Sequence, residues 1–121
     1  MPRLPDFSPW KNHTAANLRR GGTRIPCQIR LTLSALAPHH PFFEPCVVVL
    51  VNLRGCGVKF GRPLEIGTRV QLEGLPAKRS VTARVVNCIS LGEYKKFWLL
   101  GLALDEPGNI WGIERPPEDW F

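Results

Sequence analysis

From Ile25 the chain alternates. Cys27, Ile29, Leu31 and Leu33 are apolar, and Gln28, Arg30 and Thr32 between them are polar. That period of two predicts a half-buried strand. Ser34 to Pro45 is predicted as a connection, because Pro38, Pro41 and Pro45 interrupt regular pairing. Cys46-Val47-Val48-Val49-Leu50-Val51 is a continuous, largely β-branched run, the pattern of a strand buried on both sides. Asn52 to Gly57 reads as a tight turn, since Asn and Gly accept the positive φ that turns require. Val58-Lys59-Phe60 is a short returning strand, and Gly61-Arg62-Pro63 a further turn. Alternation resumes over Thr68–Leu75 and again from Val81 to about Ile89, with a turn at Pro76–Arg79 between them. After a turn at Gly92-Glu93-Tyr94, Lys96 to Leu104 forms the last strand, carrying Phe97, Trp98, Leu99, Leu100, Leu102 and Leu104.

No segment shows a strong helical period. Short strands at this spacing imply an all-β fold, an antiparallel barrel or sandwich. A closed barrel also removes the exposed edges that invite aggregation. The ends differ from the middle. Residues 1–18 hold Pro2, Pro5 and Pro9, with Phe7 and Trp10 as their large side chains, and read as a flexible N-terminal arm to a domain spanning 19–121. In the tail, Asn109 to Ile113 is expected to form one helical turn, with Trp111 and Ile113 plugging a barrel mouth. Trp120 and Phe121 close the chain; packing is the simpler role for such aromatics and ligand contact the weaker one.

Composition narrows the partners. A chain of 121 residues with 44% apolar content is one domain with a real core. Its formal net charge of +6 favours anionic partners without choosing among them. Cys27, Cys46, Cys56 and Cys88 form no C-x-x-C pair, so they read as small apolar residues of a protein in the reducing cytoplasm rather than as a metal site. The first twenty residues lack the apolar core of a secretory signal, and no apolar run is long enough to span a bilayer. His39 and His40 sit in the proline-bounded loop and His13 in the arm, a poor basis for nucleophile–base chemistry. The expectation is a protein that is not an enzyme and has no metal or cofactor. A nucleic-acid-binding barrel would interleave aromatics with basic residues. Here Phe42-Phe43, Phe97-Trp98 and the C-terminal aromatics lie apart from the arginines.

Those arginines stand in Leu18-Arg19-Arg20-Gly21-Gly22-Thr23-Arg24. The Gly-Gly pair argues against a helix, each glycine costing about 1 kcal/mol relative to alanine, so the stretch reads as a flexible basic hinge entering strand one. Arg20 and Arg24 form Arg-x-x-x-Arg. About thirty residues on, strand two ends in Asn52-Leu53-Arg54-Gly55-Cys56-Gly57. In that order the two segments resemble the PilZ domain, whose members carry R-x-x-x-R followed by [D/N]-x-S-x-x-G and bind cyclic di-GMP. Pro63 to Leu72, Val81 to Val86 and Leu100 to Leu104 are similar to the family's later strands, so the likeness spans about residues 19 to 113. It implies a six-stranded antiparallel β-barrel with a short C-terminal turn or helix. One position departs: Arg54 stands where the family has serine, while Asn52 and Gly57 match.

The resemblance implies a stand-alone, cytoplasmic receptor for this bacterial second messenger, with Arg20, Arg24, Asn52, Arg54 and Gly57 as ligand contacts. Arginine forks suit both the phosphates and the O6/N7 edge of guanine, and a bidentate Arg–guanine contact is worth about 1–3 kcal/mol of discrimination. Asn52 offers an acceptor and donors to a guanine edge; Gly57 permits the turn or a close backbone approach. Arg54 has two readings. It adds a third cation beside the phosphates, or its length obstructs a site built for a small side chain. Arm closure on the nucleotide would then signal to a protein effector, as in motility or polysaccharide export machinery. The alternative is a degenerate PilZ-like interaction module that has lost the nucleotide. Neither reading involves nucleic acid or membrane insertion.

Overall fold

The computed structural model describes residues 22–35, 41–76, 80–92 and 96–120. Six strands follow one another: β1 (Ile25–Ala35), β2 (Phe43–Val51), β3 (Gly55–Phe60), β4 (Arg69–Glu73), β5 (Ser80–Leu91) and β6 (Phe97–Leu104). All pair antiparallel and close into a barrel in the order β1-β2-β3-β6-β5-β4. The closing seam joins β1 to β4 through Thr32↔Glu73, Leu33↔Leu72, Ser34↔Gln71 and Ala35↔Val70. The expected six-stranded antiparallel barrel is thus the architecture observed, each strand pairing with a neighbour on both sides along part of its length.

Alternation explains the interior. Leu31 and Leu33 of β1, Val70 and Leu72 of β4, Ala83 and Val85 of β5, and Leu100, Leu102 and Leu104 of β6 are all buried in one core. Burying each Leu or Val removes apolar surface worth roughly 1.5–3 kcal/mol from water. Their neighbours Arg30, Arg69 and Arg84 are exposed. Among the described residues no polar or charged residue is classed as buried. No helix among them is long and apolar enough to cross a membrane.

Four local expectations are corrected. β1 runs through Ser34 and Ala35, and β2 already includes Pro45, which lies opposite Thr32. A proline lacks the N–H donor but keeps its carbonyl, so it is tolerated where the ladder asks only for an acceptor. Next, β2 is not buried evenly: Cys46, Val48 and Val51 are buried while Val47, Val49 and Leu50 are half-buried. A register shift between Val48 and Leu50 changes the phase by one residue and brings Val51 inside. Third, the tight turn ends at Gly55, where β3 begins, so Gly57 is not a turn residue. It lies within β3 and pairs with Gly101. Fourth, Asn109–Ile113 is a turn and not helical: the Asn109 side chain donates to the carbonyl of Ile113 (2.9 Å) and accepts from its N–H (3.3 Å). The short 3-10 helix, η1, comes later, at Glu118–Trp120.

Candidate ligand-binding rim

The β1–β2 register begins at Ile25↔Val51. Arg24 immediately precedes this pair and Asn52 immediately follows it, so the two segments singled out in the sequence arrive at one rim of the barrel. Arg24 is half-buried and Arg54 exposed. Gly57 sits two residues inside β3, paired to β2 and β6, and is part of the wall. Arg20 lies outside the described residues, as do Phe7, Trp10, His13, His39, His40 and Phe121.

The β2–β3 turn is held from within and from outside. Asn52 Oδ1 accepts the N–H groups of Arg54 (2.9 Å) and Gly55 (3.0 Å), the local capping that makes asparagine a turn residue. Asn52 N–H closes the turn on the Gly55 carbonyl at 3.0 Å. The three turn carbonyls are then taken by one later segment. Trp111 Nε1 donates to Asn52 O (2.8 Å), Gly108 N–H to Leu53 O (2.8 Å) and Leu104 N–H to Arg54 O (2.8 Å). Trp111 is only 2% exposed and packs with Ile110 into the barrel core. With its carbonyl oxygen committed twice, Asn52 has its Nδ2 donors to offer a ligand. Donors are what the O6/N7 edge of guanine requires.

The C-terminus supplies a part of this rim that sequence reasoning missed. The Asp119 carboxylate, through Oδ2, accepts both the N–H (2.9 Å) and the hydroxyl (2.7 Å) of Thr23. Trp120 Nε1 donates to Thr23 O at 2.7 Å. Gly22 has φ of 80°, and a Cβ there would lie 2.6 Å from Trp120 Cδ1. The second half of the Arg20–Arg24 stretch, expected to be a loose hinge, is therefore seated against η1. Trp120 is buried as packing, only 5% exposed. The Thr23 bonds, the one from its N–H foremost, hold the Asp119 carboxyl below its ordinary 3.8. The sequence signal was slight: an acidic residue and a tryptophan after two prolines, some 96 positions from their partner.

A second polar group lies where β4, β5 and the end of β6 meet. Arg69 pairs with Asp105 through two bonds of 3.1 and 2.5 Å, and the Thr82 hydroxyl donates to the same carboxylate. Asp105 and Glu106 line an open cleft of about 370 Å³ with Ser80, Val81 and Thr82. Its carboxylates make this cleft a poor seat for phosphate. Among the described residues no group of three or more His, Cys, Asp or Glu is placed to hold a metal ion. The four cysteines are free thiols. Compared with known proteins, the chain matches no family model and no curated sequence.

Proposed function

We propose that this barrel is a receptor for cyclic di-GMP, bound at the rim where Arg24 meets the Asn52–Arg54 turn. One observation carries the reading: the Ile25↔Val51 register sets Arg24 and the β2–β3 turn side by side. The resemblance to the PilZ domain supplies the ligand, and the rim supplies chemistry suited to it. Arg20 and Arg24 take the phosphates and a guanine edge, Asn52 donates from Nδ2, and the exposed Arg54 adds a third cation. Gly57, in the wall of β3, is the position where the backbone would allow a close approach. The output is a protein effector that reads the arm, since ordering an arm on a ligand costs about 1–2 kcal/mol per residue fixed and couples binding to closure.

Calorimetric titration of the intact chain with cyclic di-GMP tests this. Binding in the micromolar range or tighter is expected, with Arg20→Ala and Arg24→Ala each abolishing it. Absence of heat at tens of micromolar would sink the reading. Arg54→Ser separates its two roles: weaker binding identifies a phosphate contact, and tighter binding an obstruction.

The interaction module without nucleotide is favoured by one feature, the arginine at position 54 where the resembled family has serine. It predicts a silent titration together with a specific protein partner.

A further inference from the structure

Thr23, in the middle of the arginine stretch, points two donors at one oxygen. Its N–H and its hydroxyl both reach Asp119 Oδ2, at 2.9 and 2.7 Å. Two convergent donors beside an arginine make a small anion niche, and here the anion is the protein's own carboxylate. A phosphate oxygen has the same charge sign and the same need for donors. The rest of the tail secures the arrangement. Trp120 takes the Thr23 carbonyl through its indole N–H and lies against Gly22, where there is no room for a Cβ. Trp120 N–H closes η1 on the carbonyl of Pro117 at 3.0 Å. Pro116 and Pro117 restrict the approach to η1, which lowers the entropy cost of holding it in place.

We propose that the Asp119–Trp120 segment is an internal competitor for the arginine stretch. Its carboxylate occupies the Thr23 donors that a phosphate of the ligand takes, and the ligand must displace it to bind. The inference rests on the receptor reading above and adds its regulation. Because the competitor is tethered, it acts at high effective concentration and sets the affinity threshold of the site. Displacement also frees η1, so that a change at the rim becomes a change in the Glu118–Trp120 segment, where a protein partner can read it.

Two measurements on the intact chain test this. The first needs no ligand: hydrogen exchange at the Thr23 amide. Protection is expected in the wild type and its loss in Asp119→Ala, with an intermediate result in Asp119→Asn, which keeps the size and one acceptor. A Thr23 amide that exchanges freely in the wild type overturns the proposal whatever the ligand does. The second is the cyclic di-GMP titration of the same three proteins. Asp119→Ala should bind at least about tenfold more tightly, the scale of losing charge-assisted hydrogen bonds that compete with the ligand. Asp119 is exposed, so its replacement leaves the core intact. If the wild type binds and Asp119→Ala binds equally or more weakly, the competitor is refuted and the receptor stands. If only Asp119→Ala binds, the competitor is supported, and the receptor reading is overturned for the wild-type chain, whose site the carboxylate then holds shut. If neither binds, the receptor reading fails and the competitor falls with it, even where the amide is protected.

Discussion

Gly55 shows how much a missing side chain can matter. A Cβ at this position would lie 2.2 Å from the carbonyl oxygen of Leu102 on the neighbouring β6. Backbone, unlike the end of a flexible side chain, has little freedom to give. Gly55→Ala should therefore destabilise the barrel by at least about 1–3 kcal/mol, the usual scale of overpacking, measured by chemical denaturation. The thiols offer a second check. Burial pushes Cys46 up to about 12 and Cys56 well above its ordinary value, and only the thiolate reacts readily. In native protein near neutral pH both should resist alkylation, while Cys88, half-buried, is modified first. Peptide mapping after timed labelling reads the order, and rapid labelling of Cys56 would contradict the packing.

The β2–β3 turn and the segment after β6 behave as one element. The carbonyls of Asn52 and Leu53 are capped by that segment and that of Arg54 by Leu104 at the end of β6, and Trp111 contributes both a hydrogen bond and a buried ring. Trp111→Phe removes the donor and leaves the Asn52 carbonyl without it, which should cost about 1–3 kcal/mol. The turn amides of Arg54 and Gly55 should exchange faster as well, a local readout that a purely global loss would not single out. At the other polar cluster, Thr82→Val deletes the hydroxyl on Asp105. That hydroxyl is the foremost cause of the lowered Asp105 pKa, ahead of Arg69. The variant should bring the Asp105 titration back toward the ordinary carboxylate value, as followed by carboxyl NMR.

For the barrel as a unit, these two carboxylates contribute to the acid behaviour. Asp105 and Asp119 both have folded values below the ordinary 3.8. A group with a depressed folded pKa stabilises the native state fully above its unfolded value. That contribution is lost as pH falls through the folded value. Stability should thus be insensitive to these groups near neutral pH and decline from about pH 4 downward. Asp119→Asn should flatten part of that decline in melting temperature against pH. An unchanged acid limb would show that the Thr23 contact is absent in solution.

Much of this barrel was legible because strand periodicity is local. Where one face is apolar and the other polar, as in Cys27–Leu33 or Val81–Val85, five residues suffice to say which side chains point inward. The resemblance of two short segments to a known domain then implied the six-strand closure and which residues to compare. Legibility failed wherever both phases of a strand are apolar. In Cys46–Val51 a one-residue shift exchanges Leu50 for Val51 at the core without altering composition, so only pairing with β1 and β3 could choose the phase. It failed again at Gly57, because a glycine in a turn and a glycine in a wall are the same letter until strand partners are known. It failed most completely at Thr23 and Asp119. Closure of the barrel brings the entry to β1 and η1 to one rim, and nothing in either segment alone specifies a partner 96 residues away. The residue pattern therefore determined the strands and their inward faces. The folded chain decided the register, the braced turn and the occupant of the arginine stretch, because those depend on which distant atoms arrive within hydrogen-bonding distance.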